Sequence, residues 1–413
     1  MNFRKRFIEI TDFLKPYQTI WQNEILLLYP TPLLHYPASW LEDLSRFSSK
    51  EDVLRLERKE VEGLIEDPGL KAFYERMKEL IDIPVAGLYP GLPADHLTFL
   101  YMIPKKQHEI RQLAPILNQI YQKSGVDEVI DIGGGIGLLA QTLVNYYGMK
   151  VCSLDLDPVL QDTGLKRHMK NAKNPENMVN YKQVKVELSE AKFVQLLSGN
   201  KMTVGLHTCG PLAVSQLSAS AGHAVKRMVN FGCCYHKLED FPEAQNISKF
   251  ARENSPLTMS RYALTLSARA HRKLDEKEFD LKLKVKVYRY AIHFLLHDHY
   301  KMEGFLPLGN SKPELYDESF GTYVLEQLSR INVKPLHTKE ELDYFFINPE
   351  RQLLISKMLA GGIVRDAMGR LLELYILLDR VIFMEEHGYK VELLQCFDEV
   401  ISPRNLGIFC ELN

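Results

Sequence analysis

Residues 129–139 constrain the fold of this chain more than any other segment, because they combine an apolar strand, a glycine loop and the start of an amphipathic helix. Asp131 lies in the strand, and glycine occupies four of the five positions 133–137. A second apolar run, 151–154, ends at Asp155. Ligands of parallel α/β sheets bind at the carboxyl ends of the strands. The layout therefore predicts a nucleotide-containing cofactor there, with Asp155 accepting hydrogen bonds from its ribose hydroxyls.

The glycine spacing narrows the kind of cofactor. The dinucleotide fingerprint G-x-G-x-x-G fails from either of the first two glycines, because leucine or isoleucine stands where a glycine is required. What remains is D-x-G-x-G-x-G, formed by Asp131, Gly133, Gly135 and Gly137. This pattern resembles motif I of the class I methyltransferases that use S-adenosylmethionine (SAM). The resemblance implies that Asp131 faces the methionine part of SAM and Asp155 its ribose; a glycine turn without a ligand is the alternative.

Five apolar segments alternate with helical segments, which is the βαβ rhythm of a parallel sheet. We predict strands at 129–132, 151–155, 184–188, 202–207 and 227–232. Acidic or imidazole side chains at the ends of such strands can reach a cofactor. We therefore also expect Glu187, in the third strand, and His207, at the end of the fourth, to contact it.

The C-terminal part completes the pattern. A helix is predicted over 351–386, with Gly388 just beyond its end. The segments 391–397 and 406–410 then read as two strands, and the single loop between them makes their pairing antiparallel. We predict an α/β fold with a seven-stranded Rossmann-like sheet closed by an antiparallel hairpin, which is the sheet of class I methyltransferases.

The pattern along the chain predicts four regions. They are an N-terminal helical domain (1–100), a SAM-binding methyltransferase core (101–238), a substrate-facing insertion between strands five and six (239–350), and a C-terminal helix and hairpin (351–413). The insertion is rich in Lys and Arg, but interleaved acids favour a solvated charged surface over a nucleic-acid patch. Within it, Lys282, Lys284 and Lys286 alternate with apolar residues, which predicts one face of a strand.

Composition limits the classes of partner. Of the 413 residues, 46% are hydrophobic and 25% charged, as in ordinary globular proteins. The net charge of −2 gives no global field that would recruit nucleic acid, so such binding would need a local basic patch. No apolar run approaches the length of a membrane span, and the six cysteines do not form a disulfide framework. We expect a cytoplasmic protein without a membrane partner.

Two polar clusters follow the fourth and fifth predicted strands. They are His-Thr-Cys-Gly-Pro at 207–211 and Cys-Cys-Tyr-His-Lys at 233–237. These strands are neighbours in the usual class I order, so both clusters should face the glycine loop across one cleft. The first cluster lacks the Asn/Asp-Pro-Pro-aromatic sequence that binds an exocyclic amine, which argues against methylation of adenine N6.

Three chemistries compete for these clusters. His207 or His236 could take a proton from a hydroxyl or an amine. Cys209 could attack a pyrimidine ring, with Cys234 lining the pocket. The histidines and cysteines could instead bind zinc, but H-x-C and C-C-x-H are not the usual C-x-x-C knuckles, so we assign no metal ligand. Cysteines also pack as small buried residues, which is the interpretation preferred for Cys233.

Motifs across most of the chain together resemble one family, the methyltransferase-like proteins that include the ribosomal RNA adenine dimethylase domain-containing proteins. A tRNA 2′-O-methyltransferase is a more distant relative. The matching segments are 35–40, 105–109, 131–137, 207–210, 232–238, 377–380, 397–398 and 402–406. The resemblance implies a SAM-dependent methyltransferase that acts on RNA, either ribosomal or transfer RNA, or on a component of the translation machinery.

The resemblance also implies roles for further residues. It places Lys106, His108 and Glu109 near the cofactor or the acceptor, and Tyr235 at the substrate rim. For Arg404 and Asn405 it leaves two roles, capping the rim or ordering the turn of the closing hairpin.

The sequence thus predicts a SAM-dependent methyltransferase of RNA. On the acceptor side we place His207 and His236, with Cys209 and Cys234 beside them. Two alternatives stay open: a protein methyltransferase that acts on a translation component, and a SAM-binding sensor or assembly protein without catalysis.

Overall fold

The computed structural model describes residues 1–46, 50–87, 91–93, 96–100, 102–173, 176–254, 256–269, 274–304, 308 and 311–413. The chain forms two compact units. Unit 1 comprises Met1–Lys15, Leu80–Arg272 and Arg370–Asn413, and unit 2 comprises Pro16–Glu79 and Lys273–Gly369. The four regions predicted from the sequence stay a prediction.

Seven strands of unit 1 form a single mixed sheet. They are β1 (Glu128–Ile132), β2 (Val151–Asp155), β3 (Asn180–Gln183), β4 (Lys201–Cys209), β5 (Arg227–Cys233), β6 (Tyr389–Gln395) and β7 (Leu406–Leu412). Their order is β3-β2-β1-β4-β5-β7-β6. Strands β1 to β5 pair in parallel, whereas β7 is antiparallel to both β5 and β6. The predicted α/β class I methyltransferase fold, with its closing antiparallel hairpin, is confirmed.

Helices connect the strands and make up most of unit 2. The α-helices of the described residues are α1 (Phe3–Leu14), α2 (Gln18–Gln22), α3 (Ala38–Ser45), α4 (Lys50–Glu57), α5 (Pro68–Leu80), α6 (His96–Phe99), α7 (Pro104–Ser124), α8 (Leu138–Tyr147), α9 (Pro158–Asn171), α10 (Ala191–Leu196), α11 (Pro211–Gly222), α12 (Lys249–Glu253), α13 (Arg261–Arg269), α14 (Glu276–Asp298), α15 (Phe320–Arg330), α16 (Lys339–Phe346), α17 (Pro349–Ala367) and α18 (Gly369–Glu386). Short 3₁₀ helices lie at Lys15–Tyr17, Ile25–Leu28, Tyr235–Leu238, Pro242–Ala244 and Pro313–Asp317. In the part of the chain that the structure describes, no helix is both long enough and apolar enough to cross a membrane.

Both faces of the sheet are covered by helices, so its central strands β1, β4 and β5 are buried along most of their length. Successive side chains of a strand point to opposite faces. Val129 of β1 accordingly packs in a cluster with Leu113 of α7 and Leu143 of α8. Its neighbour Ile130 packs in a second cluster that contains Phe193 of α10. Double coverage of this kind is typical of parallel sheets.

The strand order fixes where a ligand can bind. Strand β1 lies between β2 and β4. The chain adds β2 and β3 on one side of β1 and then crosses to the other side, where it adds β4 and β5. This reversal opens a crevice beyond the carboxyl ends of β1 and β4, which is where ligands bind in open α/β sheets. The glycine loop follows β1 directly, and the 207–211 cluster includes the end of β4.

The third strand was predicted at the wrong place. Strand β3 is the polar segment Asn180–Gln183, which pairs with β2 at the edge of the sheet. The apolar residues Val184 and Val186, which suggested a strand, are buried in the loop after it. A polar edge strand gives little signal in the sequence because its outer side needs no apolar cover.

The lysines predicted on a strand lie in helix α14 instead. An Asp275–Glu278 capping box begins this helix. In a helix, residues four apart share a face. Lys282 and Lys286 accordingly both donate to Asp366, with Nζ–Oδ2 distances of 3.3 and 3.2 Å. Lys284 points elsewhere and pairs with Asp317.

The predicted C-terminal helix is two helices, because the chain is capped at Met368 between α17 and α18. Gly388 follows the end of α18 with φ of +83°, the left-handed conformation expected there. The hairpin strands lie at 389–395 and 406–412, close to their predicted limits.

An ion pair in α18 holds the segment that follows β5. Asp379 accepts hydrogen bonds from the N–H groups of Ile247 and Ser248, each at 2.9 Å. Arg380 donates to Asp379 at 2.9 Å and to two carbonyls of residues 244–245. Asp379 is fully buried and Arg380 is 3% exposed. The pair therefore satisfies buried backbone groups between the 3₁₀ helix Pro242–Ala244 and α12.

We expect Asp379→Ala to destabilise the protein by about 3–5 kcal/mol, because it leaves the buried charge of Arg380 without its acidic partner. Urea unfolding followed by circular dichroism measures the effect. Asp162→Ala is the control, since Asp162 forms an exposed ion pair with Lys166 and its loss should cost less than about 1 kcal/mol. Equal effects of the two substitutions would contradict a structural role of Asp379.

Candidate functional site

The glycine loop folds tightly over the ends of β1 and β2. Gly133, Gly135 and Gly137 have φ values of +65°, +58° and +69°, the left-handed region that favours glycine. The N–H of Gly134 donates to the carbonyl of Leu154 at 3.0 Å. At Gly135 an added Cβ would meet no atom within 4 Å. The loop is therefore anchored on one side and faces open space on the other.

Asp155 lies at the end of β2 beside this loop. Its Oδ2 accepts the N–H of Gly135 at 2.9 Å, and its Oδ1 accepts the N–H of Asp157 at 2.9 Å. A carboxylate offers about four acceptor positions. Both oxygens therefore keep capacity for hydroxyl donors, and the side chain is oriented before any ligand arrives.

Asp131 is the buried acid of the site. It is 2% exposed, and Ser153 Oγ donates to its Oδ2 at 3.4 Å. Burial raises the pKa of Asp131 to about 6, although the positive charge of Lys106 opposes this rise. Burial also lowers the pKa of Lys106, against the attraction of Glu109 and Asp131. Lys106 thus interacts with both acids, one on the glycine-loop side and one on the β4 side.

Glu109, His207 and Ser402 form a hydrogen-bonded chain. His207 Nε2 lies 2.8 Å from Glu109 Oε2, and Ser402 Oγ donates to Glu109 Oε1 at 2.6 Å. Burial alone would raise the pKa of Glu109, but the hydrogen bonds from His207 and Ser402 and the charge of Lys105 lower it overall. Glu109 is therefore ionised near neutral pH and can only accept. The shared proton must lie on Nε2, which leaves Nδ1 of His207 as an acceptor.

A bulge in β4 sets the direction of His207. The pairing of β4 with β5 shifts register between Leu206 and Thr208, and His207 has φ of +70°. Bulges and left-handed non-glycine residues re-aim side chains and are common beside functional sites. Asn230 of β5 supports the bulge by donating to Thr208 Oγ1 and to Gln216 Oε1, both at 2.8 Å.

Three thiols meet at the carboxyl ends of β4 and β5. Cys209 Sγ lies 3.2 Å from Cys233 Sγ, and the sulfur atoms of Cys209, Cys233 and Cys234 all lie within 4.8 Å of one another. Hydrogen bonds from the other two thiols lower the pKa of Cys209. Hydrogen bonding to Cys209 and burial raise the pKa of Cys233. Cys233 is buried, as expected of a packing cysteine, but it packs against two other cysteines.

The remaining predicted residues near β5 take different positions. His236 is exposed, and desolvation together with the positive charges of Lys237 and Arg269 lowers its pKa. Tyr235 is buried and donates to the carbonyl of Gly232 at 3.3 Å. Arg404 donates to the carbonyl of Ala268. The site roles predicted for His236, Tyr235 and Arg404 stay predictions.

Three predicted residues lie in structural contacts. Asn405 is fully buried between Arg370, which donates to it at 2.6 Å, and the carbonyl of Phe397, so it orders the closing hairpin. His108 accepts the N–H of Asp398 at 3.1 Å. Glu187 pairs with Lys185 at 2.7 Å in the loop after β3, so it does not lie in a strand as predicted. The cofactor role assigned to Glu187 stays a prediction.

Sequence reasoning missed Ser402 and Asn230 as members of the site. Ser402 is fully buried, and Asn230 is 1% exposed in the otherwise apolar centre of β5. A buried polar group requires a partner, so an asparagine in an apolar strand was a usable signal. Ser402 belonged to a segment used for the family resemblance, but nothing local to that segment indicates Glu109.

Comparison with known proteins indicates the class of domain that this chain contains. A family model described as "Methyltransferase domain" matches residues 105–240. "Probable methyltransferase-like protein 25" of Mus musculus is 28% identical over 220 residues, covering 49% of this chain and 36% of that protein. The chain thus spans about a third of the length of this curated relative. No solved structure matched the chain.

The matched region runs from helix α7 to just beyond β5, and it holds the glycine loop, Asp155, the Glu109–His207 pair and the three thiols. The chain therefore contains a methyltransferase domain. This confirms the coarser part of the predicted resemblance. The closer relation to the ribosomal RNA adenine dimethylase domain-containing proteins stays a prediction.

We expect Asp131→Asn to stabilise the protein in a pH-dependent way. The folded-state pKa of Asp131 is about 6, above the ordinary 3.8. The free energy of unfolding therefore falls as pH rises from the ordinary pKa to the folded-state pKa of about 6, by up to about 3 kcal/mol in total. The advantage of the asparagine variant should grow between about pH 4 and 6 and level off above about pH 7.

Urea midpoints measured from pH 4 to 8 provide the comparison. Asp127→Asn, an exposed carboxyl just before β1, is the matched control. If the difference in urea midpoint between wild type and Asp131→Asn is the same at every pH, the pKa of Asp131 is not raised by burial.

Proposed function

We propose that this chain is a SAM-dependent methyltransferase that modifies RNA. The observation that carries the cofactor assignment is the Asp155 carboxylate, held by the N–H of Gly135 with acceptor capacity left over, beside a loop that faces open space. A ribose presents two adjacent hydroxyl donors that suit such a carboxylate. The fingerprint for dinucleotides is absent, and the glycine spacing is that of class I methyltransferases.

The residues fit SAM as a ligand. Asp155 would hold the ribose, while Asp131 and Lys106 would face the methionine part. Bound SAM supplies an electrophilic methyl group on a sulfonium. The protein then has to position the acceptor and remove its proton.

His207 is the residue suited to remove that proton. Its Nε2–H is committed to the ionised Glu109, so Nδ1 can take a proton from an O–H or N–H group of the acceptor. Ser402 fixes the other oxygen of Glu109 and thereby the orientation of the imidazole ring. The arrangement follows the logic of a base oriented by a buried carboxylate.

A local cluster of positive charge favours RNA as the acceptor class. The charges of Lys237, Arg269 and Arg261 all act on His236 at the end of β5. Within the described residues, Arg261 alone among these three has an ion pair with an acid, Glu239, at 3.5 Å. A chain of net charge −2 gains no such cluster from composition alone. Phosphate groups are the natural partners of clustered Lys and Arg side chains.

The proposed setting is a cytoplasmic, reducing compartment. None of the six cysteines, all of which lie in the described residues, forms a disulfide. Free thiols in contact with one another, as at the ends of β4 and β5, are compatible with a compartment in which thiols are kept reduced.

Asp155→Ala should weaken SAM binding about tenfold or more, because hydrogen bonds to a charged group contribute roughly 1.5–3 kcal/mol each. Isothermal titration calorimetry with SAM measures the change. Asp162→Ala, an exposed acid on helix α9, should bind SAM as the wild type does. Unchanged affinity in Asp155→Ala would contradict the cofactor assignment.

Glu109→Gln should lower the methyl-transfer rate by about 10²–10⁴-fold without weakening SAM binding, because the imidazole of His207 loses the charged acceptor that orients it. His207→Ala should have an effect of similar size. Gln122→Ala, an exposed position on the same helix, is the control. A parallel loss of SAM affinity would indicate that Glu109 serves the cofactor rather than the acceptor.

The acceptor class is tested with SAM that carries a labelled methyl group. Purified protein is incubated with extract from cells that lack it, and the labelled product is treated with ribonuclease or protease. Label released by ribonuclease supports the proposal. Label released only by protease overturns the RNA assignment in favour of a protein acceptor, and no incorporation by a SAM-binding protein would favour a sensor or assembly role.

A further inference from the structure

We propose that Cys209, Cys233 and Cys234 form a metal site that binds one Zn²⁺ ion at the carboxyl ends of β4 and β5. The proposal concerns the thiols alone. It does not rest on SAM binding or on the identity of the acceptor.

The spacing of the sulfur atoms suits a tetrahedral thiolate site. A Zn–S bond is about 2.3 Å long, so two sulfurs bound to one tetrahedral zinc lie roughly 3.8 Å apart. Here the Cys209 and Cys233 sulfurs are 3.2 Å apart, and all three lie within 4.8 Å of one another. Changes of a few tenths of an ångström in each side chain would bring all three to bonding distance.

Strand pairing and a left-handed residue bring the three thiols together. Cys209 and Cys233 are direct partners in the parallel pairing of β4 and β5. Successive strand residues point to opposite faces, so Cys234 would normally turn away from Cys233. Instead Cys234 has φ of +49°, and its carbonyl accepts the N–H of Lys237 at 3.0 Å. A left-handed cysteine costs of order 1 kcal/mol and persists where the surrounding structure requires it.

Packing alone gives no reason for this conformation. A buried cysteine packs as well in an extended strand as in a turn. The turn at Cys234 places two adjacent cysteines beside a third, and sulfur is the ligand that zinc and other soft cations prefer. The other three cysteines, Cys152, Cys396 and Cys410, take no part in this cluster.

The surrounding charges suit an anionic metal–thiolate centre. Three thiolates and one Zn²⁺ carry a net charge of −1. Lys237 acts electrostatically on Cys209, and Arg404 acts on Cys234. Within the described residues, Nη1 of Arg404 is buried and has no hydrogen-bond partner. A cation of this kind would compensate the charge of the centre.

Exposure of the thiols indicates an open fourth position. Cys233 is 6% exposed, whereas Cys209 and Cys234 are half-buried. An ion held by the three would therefore be reached from the cleft side, two residues along β4 from His207. Three protein ligands with one open position is the arrangement of catalytic rather than structural zinc. The fourth ligand would be water or a heteroatom of the acceptor.

The first test is the metal content of the wild-type protein. It is purified under reducing conditions without chelator or added metal, and zinc is measured by inductively coupled plasma mass spectrometry. We expect about one zinc per chain, and Cys209→Ser and Cys234→Ser should each fall well below that. Cys396→Ser, a half-buried thiol outside the cluster, should keep the wild-type content.

Cobalt substitution keeps the test decisive if a cysteine variant fails to fold. Co²⁺ added to metal-free wild type should produce the absorption band of sulfur-to-cobalt charge transfer, and Cys396→Ser should reproduce it. Wild type with little zinc and no such band overturns the proposal. So does a Cys209–Cys233 disulfide found by mass spectrometry in the protein as purified. Neither readout involves SAM, so their failure would leave the methyltransferase proposal untouched.

Discussion

A single buried carboxylate ties together the parts of the site. Glu109 is 1% exposed, and an ionised group at that depth is tolerated only when its oxygens are satisfied. The residues that hydrogen-bond it, His207 and Ser402, lie 98 and 293 positions away in the sequence. Helix α7, the end of β4 and the loop of the closing hairpin must therefore meet at one point. The hydrogen bonds that fix the imidazole ring are the same ones that fix the relative placement of these three segments.

The parts of the fold that could be predicted are those that depend on neighbouring residues in the sequence. Strands β1 and β2, the glycine loop and the hairpin follow from apolar runs, glycine spacing and a short connection. Strand β3 was missed because an edge strand can be polar, and the lysines of α14 were misplaced because alternation over six residues also fits a charged helix. At the site, Glu109 and His207 were each singled out. Their pairing was not, because it depends on a contact between distant segments.

The motifs that carried the family resemblance divide into two kinds of role. Some residues, such as Glu109 and the thiols, converge on the cleft. Others hold the frame: Asp379 and Arg380 fix the turn after β5, and Asn405 is clamped by Arg370. A motif that carries the family resemblance therefore does not by itself indicate a residue that takes part in catalysis.

Several energetic costs lie at one edge of the sheet. Asp131 is a buried acid with a raised pKa, Lys106 is a lysine with a lowered pKa, and His207 and Cys234 are left-handed without being glycine. A single substitution at each of these positions would remove its cost. Their coincidence beside the glycine loop is the expected result when a site is arranged for a ligand and a reaction at the expense of stability. The positions of these costs, together with the motifs, make the carboxyl ends of β1, β4 and β5 the candidate site of the domain.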